Sequence, residues 1–181
     1  MIEKASHNDL EEMAKLHVSA WDETYSKILP SELLSTITVE SRIKQWETSL
    51  SDLTYQTSIF IAKENGKIVG FAASGPQRDN KLAQYSGEFL AIYVLENHQK
   101  KGYGLLLMRA MCEDLLEKGF EHGALWVLKN NKNGRHFYDS LGGKIVDEKF
   151  LTFKEFSAQE LAYAWDVSEL SKKLDKIIST I

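Results

Sequence analysis

The sequence predicts an α+β domain in which a mixed, mostly antiparallel sheet is flanked by helices. Three observations predict it. Apolar residues recur at three-to-four spacing through the first fifty residues. The period then falls to two in a pair of runs joined by Asn65-Gly66. Two later strand-like runs are separated by an amphipathic helix, which is the crossover that a parallel pair requires.

The elements follow in order. Leu10, Met13 or Ala14, His17 or Val18, Trp21 and Tyr25 mark the first helix, which Pro30 ends. A second helical stretch from Ser31 runs through Leu33, Leu34, Ile37, Ile43, Trp46 and Leu50 and reads as two short helices. Residues 57–63 and 67–73 are strands of a hairpin, because both central residues of an Asn-Gly turn take positive φ. Residues 88–94 form the next strand, bounded by a polar group from Glu96 to Lys101. In the helix that follows, Leu105, Met108, Met111 or Cys112 and Leu115 form the buried face. Arg109, Glu113, Asp114, Glu117 and Lys118 form the polar one, and Gly119 is the stop. Residues 124–128 are a short apolar strand. Asn131 or Asn133 caps a helix carrying Phe137, Tyr138 and Leu141, which Gly142-Gly143 ends. Strands near 144–153 and 160–167 precede a charged amphipathic helix from Ser168.

Composition limits what such a fold can do. With 181 residues, 43% of them hydrophobic, the chain can bury one core, and no linker or composition shift divides residues 1–181. A net charge of −4 without long like-charge runs offers nucleic acid no electrostatic footprint. The charged amino terminus and the lack of a membrane-length apolar run predict a cytoplasmic protein with no membrane partner. The single cysteine, Cys112, excludes an internal disulfide and reads as a small buried thiol of its helix. His7, His98, His122 and His136 lack metal-ligand spacing, and no serine has a nucleophile-elbow context.

The junction from Glu88 to Leu107 is where chemistry is expected. A strand there passes through Gln99-Lys100-Lys101-Gly102-Tyr103-Gly104 into a helix. Free N–H groups and the dipole of a helix start attract an anion, and glycine lets a pyrophosphate approach the backbone. The plainer alternative is that the glycines only shape a tight turn. A dinucleotide fingerprint fails because Leu107 stands where the third glycine belongs, and no Gly-Lys-Ser or Gly-Lys-Thr makes a nucleotide P-loop.

Gln99-x-x-Gly102-x-Gly104 after Ile92-Tyr93-Val94 resembles the acyl-CoA signature of the GNAT superfamily of N-acyltransferases. Leu125-Trp126-Val127-Leu128, then Asn131, Phe137-Tyr138 and Leu141-Gly142, resembles the family's later motif at matching spacing. The resemblance implies one GNAT-like N-acetyltransferase domain over residues 1–181, with acetyl-CoA as co-substrate and no metal. It also implies that the strand of Ile92, Tyr93 and Val94 splays from its parallel neighbour, so that the pantetheine arm bonds to strand backbone. Backbone N–H groups of Gln99, Lys100, Lys101, Gly102, Tyr103, Gly104 and Leu105 would then hold the pyrophosphate. Asn131 would contact the cofactor arm, and Tyr138 would lie near the sulfur.

In such a reaction an amine attacks the thioester and the departing thiolate needs a proton. A phenol of ordinary pKa near 10 can give it, which makes Tyr138 the candidate acid. Glu88, on the strand leading into the site, is the candidate base, against the alternative of a solvated strand-edge glutamate. His17, Trp21 and Tyr25 share a helical face that either walls an acceptor pocket or belongs to the core. The expected acceptor is the primary amine of a small molecule, polyamine-like or an antibiotic, or of a peptide. The alternative is a non-catalytic acyl-CoA-binding sensor or structural module. The exposed strands and the tail helix could also pair two chains as a homodimer.

Overall fold

The computed structural model describes residues 1–52, 54 and 56–180. Seven strands form one sheet in the order β1-β2-β3-β4-β5-β7-β6, all antiparallel neighbours except β4 and β5. The strands are β1 (Ile2–Lys4), β2 (Ser58–Glu64), β3 (Lys67–Pro76), β4 (Gly87–Val94), β5 (His122–Leu128), β6 (Lys144–Phe153) and β7 (Phe156–Asp166). The helices are α1 (Leu10–Tyr25), α2 (Ser31–Leu34), α3 (Val39–Ser51), α4 (Tyr103–Glu117), α5 (Lys132–Ser140) and α6 (Val167–Ile178).

The two-residue period of β2 assigns its side chains to opposite faces. Ile59 and Ile61 join Phe71, Leu10, Met13, Leu16 and Trp46 beneath α1 and α3. Phe60 and Ala62 join Val69, Phe89 and the buried faces of α4 and α6 on the other side. The hairpin turn is as expected, with Asn65 at φ 52° and Gly66 at φ 78°. The stretch after Pro30 is indeed two helices, the second capped by Thr38, whose hydroxyl accepts from the Ser41 N–H at 3.2 Å.

Three details differ from expectation. Strand β1 is three residues long, too short to show a period, and is held by pairing with β2. Strand β7 starts at Phe156 rather than near Glu160, because a tight turn pairs Phe153 with Phe156. Asp114 is not on a solvated helix face but is 4% exposed. Its carboxylate accepts from Ser58 (2.6 Å), Ser74 (2.8 Å) and the Lys118 ammonium (2.7 Å), so the buried charge is paired and fastens α4 to β2 and β3. Among the described residues no helix is long and apolar enough to cross a membrane.

Candidate active site

Strand β4 treats its two neighbours differently. It pairs with β5 at only two positions, Gly87↔Gly123 and Glu88↔Ala124. Beyond them the strands part, and their facing edges with α5 enclose a cleft of about 900 Å³. The unpaired N–H and C=O groups of β4 in that cleft need partners from elsewhere. Along its other edge β4 stays paired with β3 as far as Val94, but the register slips: Ala91 faces Ala73 while Phe89 faces Ser74. Leu90 is therefore a bulge residue, which bends the strand and frees its backbone from the ladder.

At the wide end of the cleft the chain turns into α4 through Lys100 at φ 60° and Gly102 at φ 87°. Gly102 is the N-cap in a left-handed conformation that a Cβ would strain. The first intrahelical bond runs from the Leu106 N–H to the Gly102 carbonyl at 3.1 Å. The N–H groups of Tyr103, Gly104 and Leu105 thus have no acceptor within the helix, and no side chain caps it. This row of donors is what an anion such as pyrophosphate requires.

The expected cofactor residues divide here. Ile92, Tyr93, Val94, Gln99, Lys100, Gly102, Gly104, Leu105, Asn131 and Tyr138 all line the cleft. The Lys101 and Tyr103 side chains turn away to Glu64, at 3.3 and 2.9 Å, leaving only their backbone N–H groups for a ligand. Gln99 donates from Nε2 to the Val94 carbonyl at 3.1 Å and so braces the strand end. Asn131 caps α5 by accepting from the Gly134 N–H at 3.0 Å; a Cβ on Gly134 would stand 2.9 Å from its Nδ2.

Tyr138 comes from α5 and is 8% exposed, its ring 5.7 Å from both Phe137 and Tyr163. Burial, with a smaller contribution from the nearby Tyr25 phenol, pushes its own phenol well above the ordinary value. It stays protonated at neutral pH. Tyr93 is pushed up by burial as well, and then by its Tyr25 neighbour. Three phenols, Tyr25, Tyr93 and Tyr138, therefore gather on the cleft wall.

Leu90, Ala91 and Tyr93 also line a second pocket of about 180 Å³ on the opposite side of β4. His17 and Trp21 of α1 reach it, with Arg42 and Trp46 of α3 and Arg78 before β4. His17 accepts at Nδ1 from the Trp46 indole at 3.1 Å, which leaves its own proton on Nε2 when neutral. Burial, and secondarily the Arg42 charge, depress its pKa to about 3. The aromatic stripe of α1 is thus both core and pocket wall. Glu88 stands at the closed end of the β4–β5 gap. Its carboxylate accepts from Arg78 Nε and Nη2, both at 3.0 Å, and from the Arg78 backbone N–H at 3.1 Å. Sequence reasoning missed both arginines, for which a lone Arg on a polar helix or loop gives no signal.

The chain matches the family model for the acetyltransferase (GNAT) family over residues 10–142. It belongs to the GNAT acetyltransferase family. A Bacillus subtilis (strain 168) relative described as the uncharacterized N-acetyltransferase YuaI is 31% identical over 178 residues, covering 97% of this chain and 98% of the relative. Among solved structures, an N-acetyltransferase from Staphylococcus aureus Mu50 superposes with a TM-score of 0.74 at 22% identity, over 92% of this chain and 98% of that one. The PaiA N-acetyltransferase of Thermoplasma acidophilum, in complex with coenzyme A, gives 0.73 at 20% identity over 91% and 98%. This GNAT member is accordingly an acyltransferase, and the splayed pair, the bulge and the uncapped helix start are the parts of it that suit an acyl-CoA. Among the described residues no three metal-ligating side chains gather.

Proposed function

We propose that this GNAT enzyme transfers an acetyl group from acetyl-CoA to a primary amine of a small molecule or peptide, by direct attack of the amine on the thioester. The observation that carries the reading is the free edge of β4, which has the uncapped start of α4 at one end and Tyr138 beside it. The coenzyme A complex of the Thermoplasma acidophilum neighbour supports the same ligand in this cleft.

When bound, acetyl-CoA supplies an electrophilic carbonyl carbon and a thiolate leaving group. The chain supplies the rest. N–H groups from Lys100 to Leu105 hold the pyrophosphate, that of Gln99 being spent on the Glu96 carbonyl at 3.2 Å, and the unpaired edge of β4 receives the pantetheine amides as a sheet edge receives a strand. Backbone freed by the bulge at Leu90 offers a donor to charge developing on the carbonyl oxygen. The acceptor ammonium loses one proton to solvent before it attacks. As the C–N bond forms it loses a second, and as the C–S bond breaks the Tyr138 hydroxyl protonates the sulfur. The phenolate is refilled by that second proton, so one proton is released per turnover.

Both carboxylate oxygens of Glu88 are engaged by Arg78. We assign it to holding that guanidinium, with solvent in the second pocket as proton sink. Release of coenzyme A thiol from acetyl-CoA, measured against a panel of primary amines, tests the proposal. Amine-dependent release is expected. Saturable acetyl-CoA binding without release on any amine would instead identify a sensor or structural module.

A further inference from the structure

The acetyl-CoA cleft leaves the second pocket unexplained, and its chemistry is distinctive. Arg42 and Arg78 both line it, and among the described residues no carboxylate does. The two guanidiniums are not equivalent. Arg78 spends its fork on Glu88, and its side chain is 64% exposed at the pocket mouth. Arg42 is half-buried and, among the described residues, pairs with no carboxylate; the one hydrogen bond of its guanidinium there runs from Nε to the Ser41 hydroxyl at a long 3.4 Å. Its charge reaches inward, since it is felt by both His17 and Tyr93, and Tyr93 is shared with the thioester cleft. A half-buried guanidinium without a counter-ion is a costly arrangement unless a ligand completes it.

The other polar groups sharpen the case. His17 is held neutral by its surroundings, so it neither competes for an anion nor neutralises Arg42. The Trp21 indole N–H is buried without a partner among the described residues and is a second donor in search of an acceptor. A polyamine would bring cationic groups to two arginines and no carboxylate.

Resting on the acetyltransferase reading above, we infer that the acceptor is an amino acid or amino-acid-like molecule whose carboxylate is received by Arg42, leaving its amine at the bulged segment Leu90–Ala91 of β4. A pocket of about 180 Å³ has room for such a molecule. The planar fork of Arg42 matches a carboxylate in a way that a lysine ammonium does not. Charge then selects the substrate while β4 positions it, and the amine-bearing carbon need not be recognised by any charged group of the enzyme.

The experiment pairs each amino acid with its carboxamide, which keeps the amine and removes the negative charge, and includes a polyamine arm. Two readouts are taken on the full chain: coenzyme A thiol release, and calorimetric binding of the same compounds to the protein saturated with coenzyme A. The acid of at least one pair is expected to exceed its amide by about 100-fold in kcat/KM and in affinity, the range lost with one charge-assisted pair. Arg42→Gln should collapse that ratio to near unity, and Arg42→Lys should restore part of it, with coenzyme A affinity and melting temperature showing that both variants are folded. Equal use of acids and amides, a preference for the polyamine, or an equal loss on both members of a pair in Arg42→Gln would overturn the inference. Arg42-dependent binding of acids without any thiol release would uphold the carboxylate site at Arg42 and remove the catalytic reading instead.

Discussion

The two sides of β4 are built of different materials. The cleft toward β5 offers a ligand backbone groups: an unpaired strand edge, a bulge and the uncapped N–H groups of α4. The pocket toward α1 and α3 is made of side chains brought from four separate stretches of chain, at residues 17–21, 42–49, 57 and 78, around Leu90, Ala91 and Tyr93. Backbone recognition tolerates sequence change and suits a ligand that never varies. Side-chain recognition changes with one substitution and suits a ligand that differs between relatives.

That contrast breaks first at Tyr138, the one side chain of the cleft that we propose does chemistry. Tyr138→Phe keeps the ring packing and removes the proton, so turnover is expected to fall about 100-fold or more while coenzyme A affinity stays within about threefold. Equal losses in both, read by steady-state kinetics and calorimetry, would make Tyr138 a binding residue like its neighbours.

An intermediate effect is expected on the pocket side, at His17. The fold keeps this imidazole neutral down to about pH 3, whereas its ordinary value is 6.5. Between those values the unfolded chain binds a proton that the folded chain refuses, so acidification through that window costs stability, by up to about 1.4 kcal/mol per pH unit. Above the ordinary value both states are neutral and the group adds no slope. The stability advantage of the wild type over His17→Gln, from denaturant melts, should therefore shrink from about pH 7 to about pH 5. A pH-independent difference would mean that the imidazole titrates alike in the folded and unfolded chain.

The smallest effect sharpens the claim that the cleft reads backbone. Lys101→Ala leaves its N–H in place and removes a side chain turned toward Glu64, so coenzyme A affinity should change by less than about threefold at moderate salt. A tenfold loss by calorimetry would give the ammonium a direct role at the phosphates.

The same division explains what the sequence could reveal. The hairpin at Asn65-Gly66, the two helices after Pro30, the parallel pair and the glycine-bearing turn into α4 were legible because local chemistry specifies them: turn residues, period and caps. Asn131 and Tyr138 drew notice through the resemblance of residues 125–142 to the family's later motif, and both line the cleft. Nothing local marks Arg42, which becomes part of a site only when α3 packs on α1 and Trp46 bonds to His17. The Glu88–Arg78 pair was equally hidden, since ten residues and a turn separate its members. Nor does helical period reveal that Asp114 points into the sheet, because its partners Ser58 and Ser74 lie on other strands.

Cys112 carries a practical corollary. It is the chain's one cysteine, fully enclosed, and burial raises its thiol to about 12. A disulfide chromogen mixed with native enzyme therefore finds nothing on the protein to modify, and colour developing during an assay counts liberated coenzyme alone. Unfolded in denaturant, the same sample should titrate one equivalent per chain, an internal standard for enzyme concentration carried by the molecule itself.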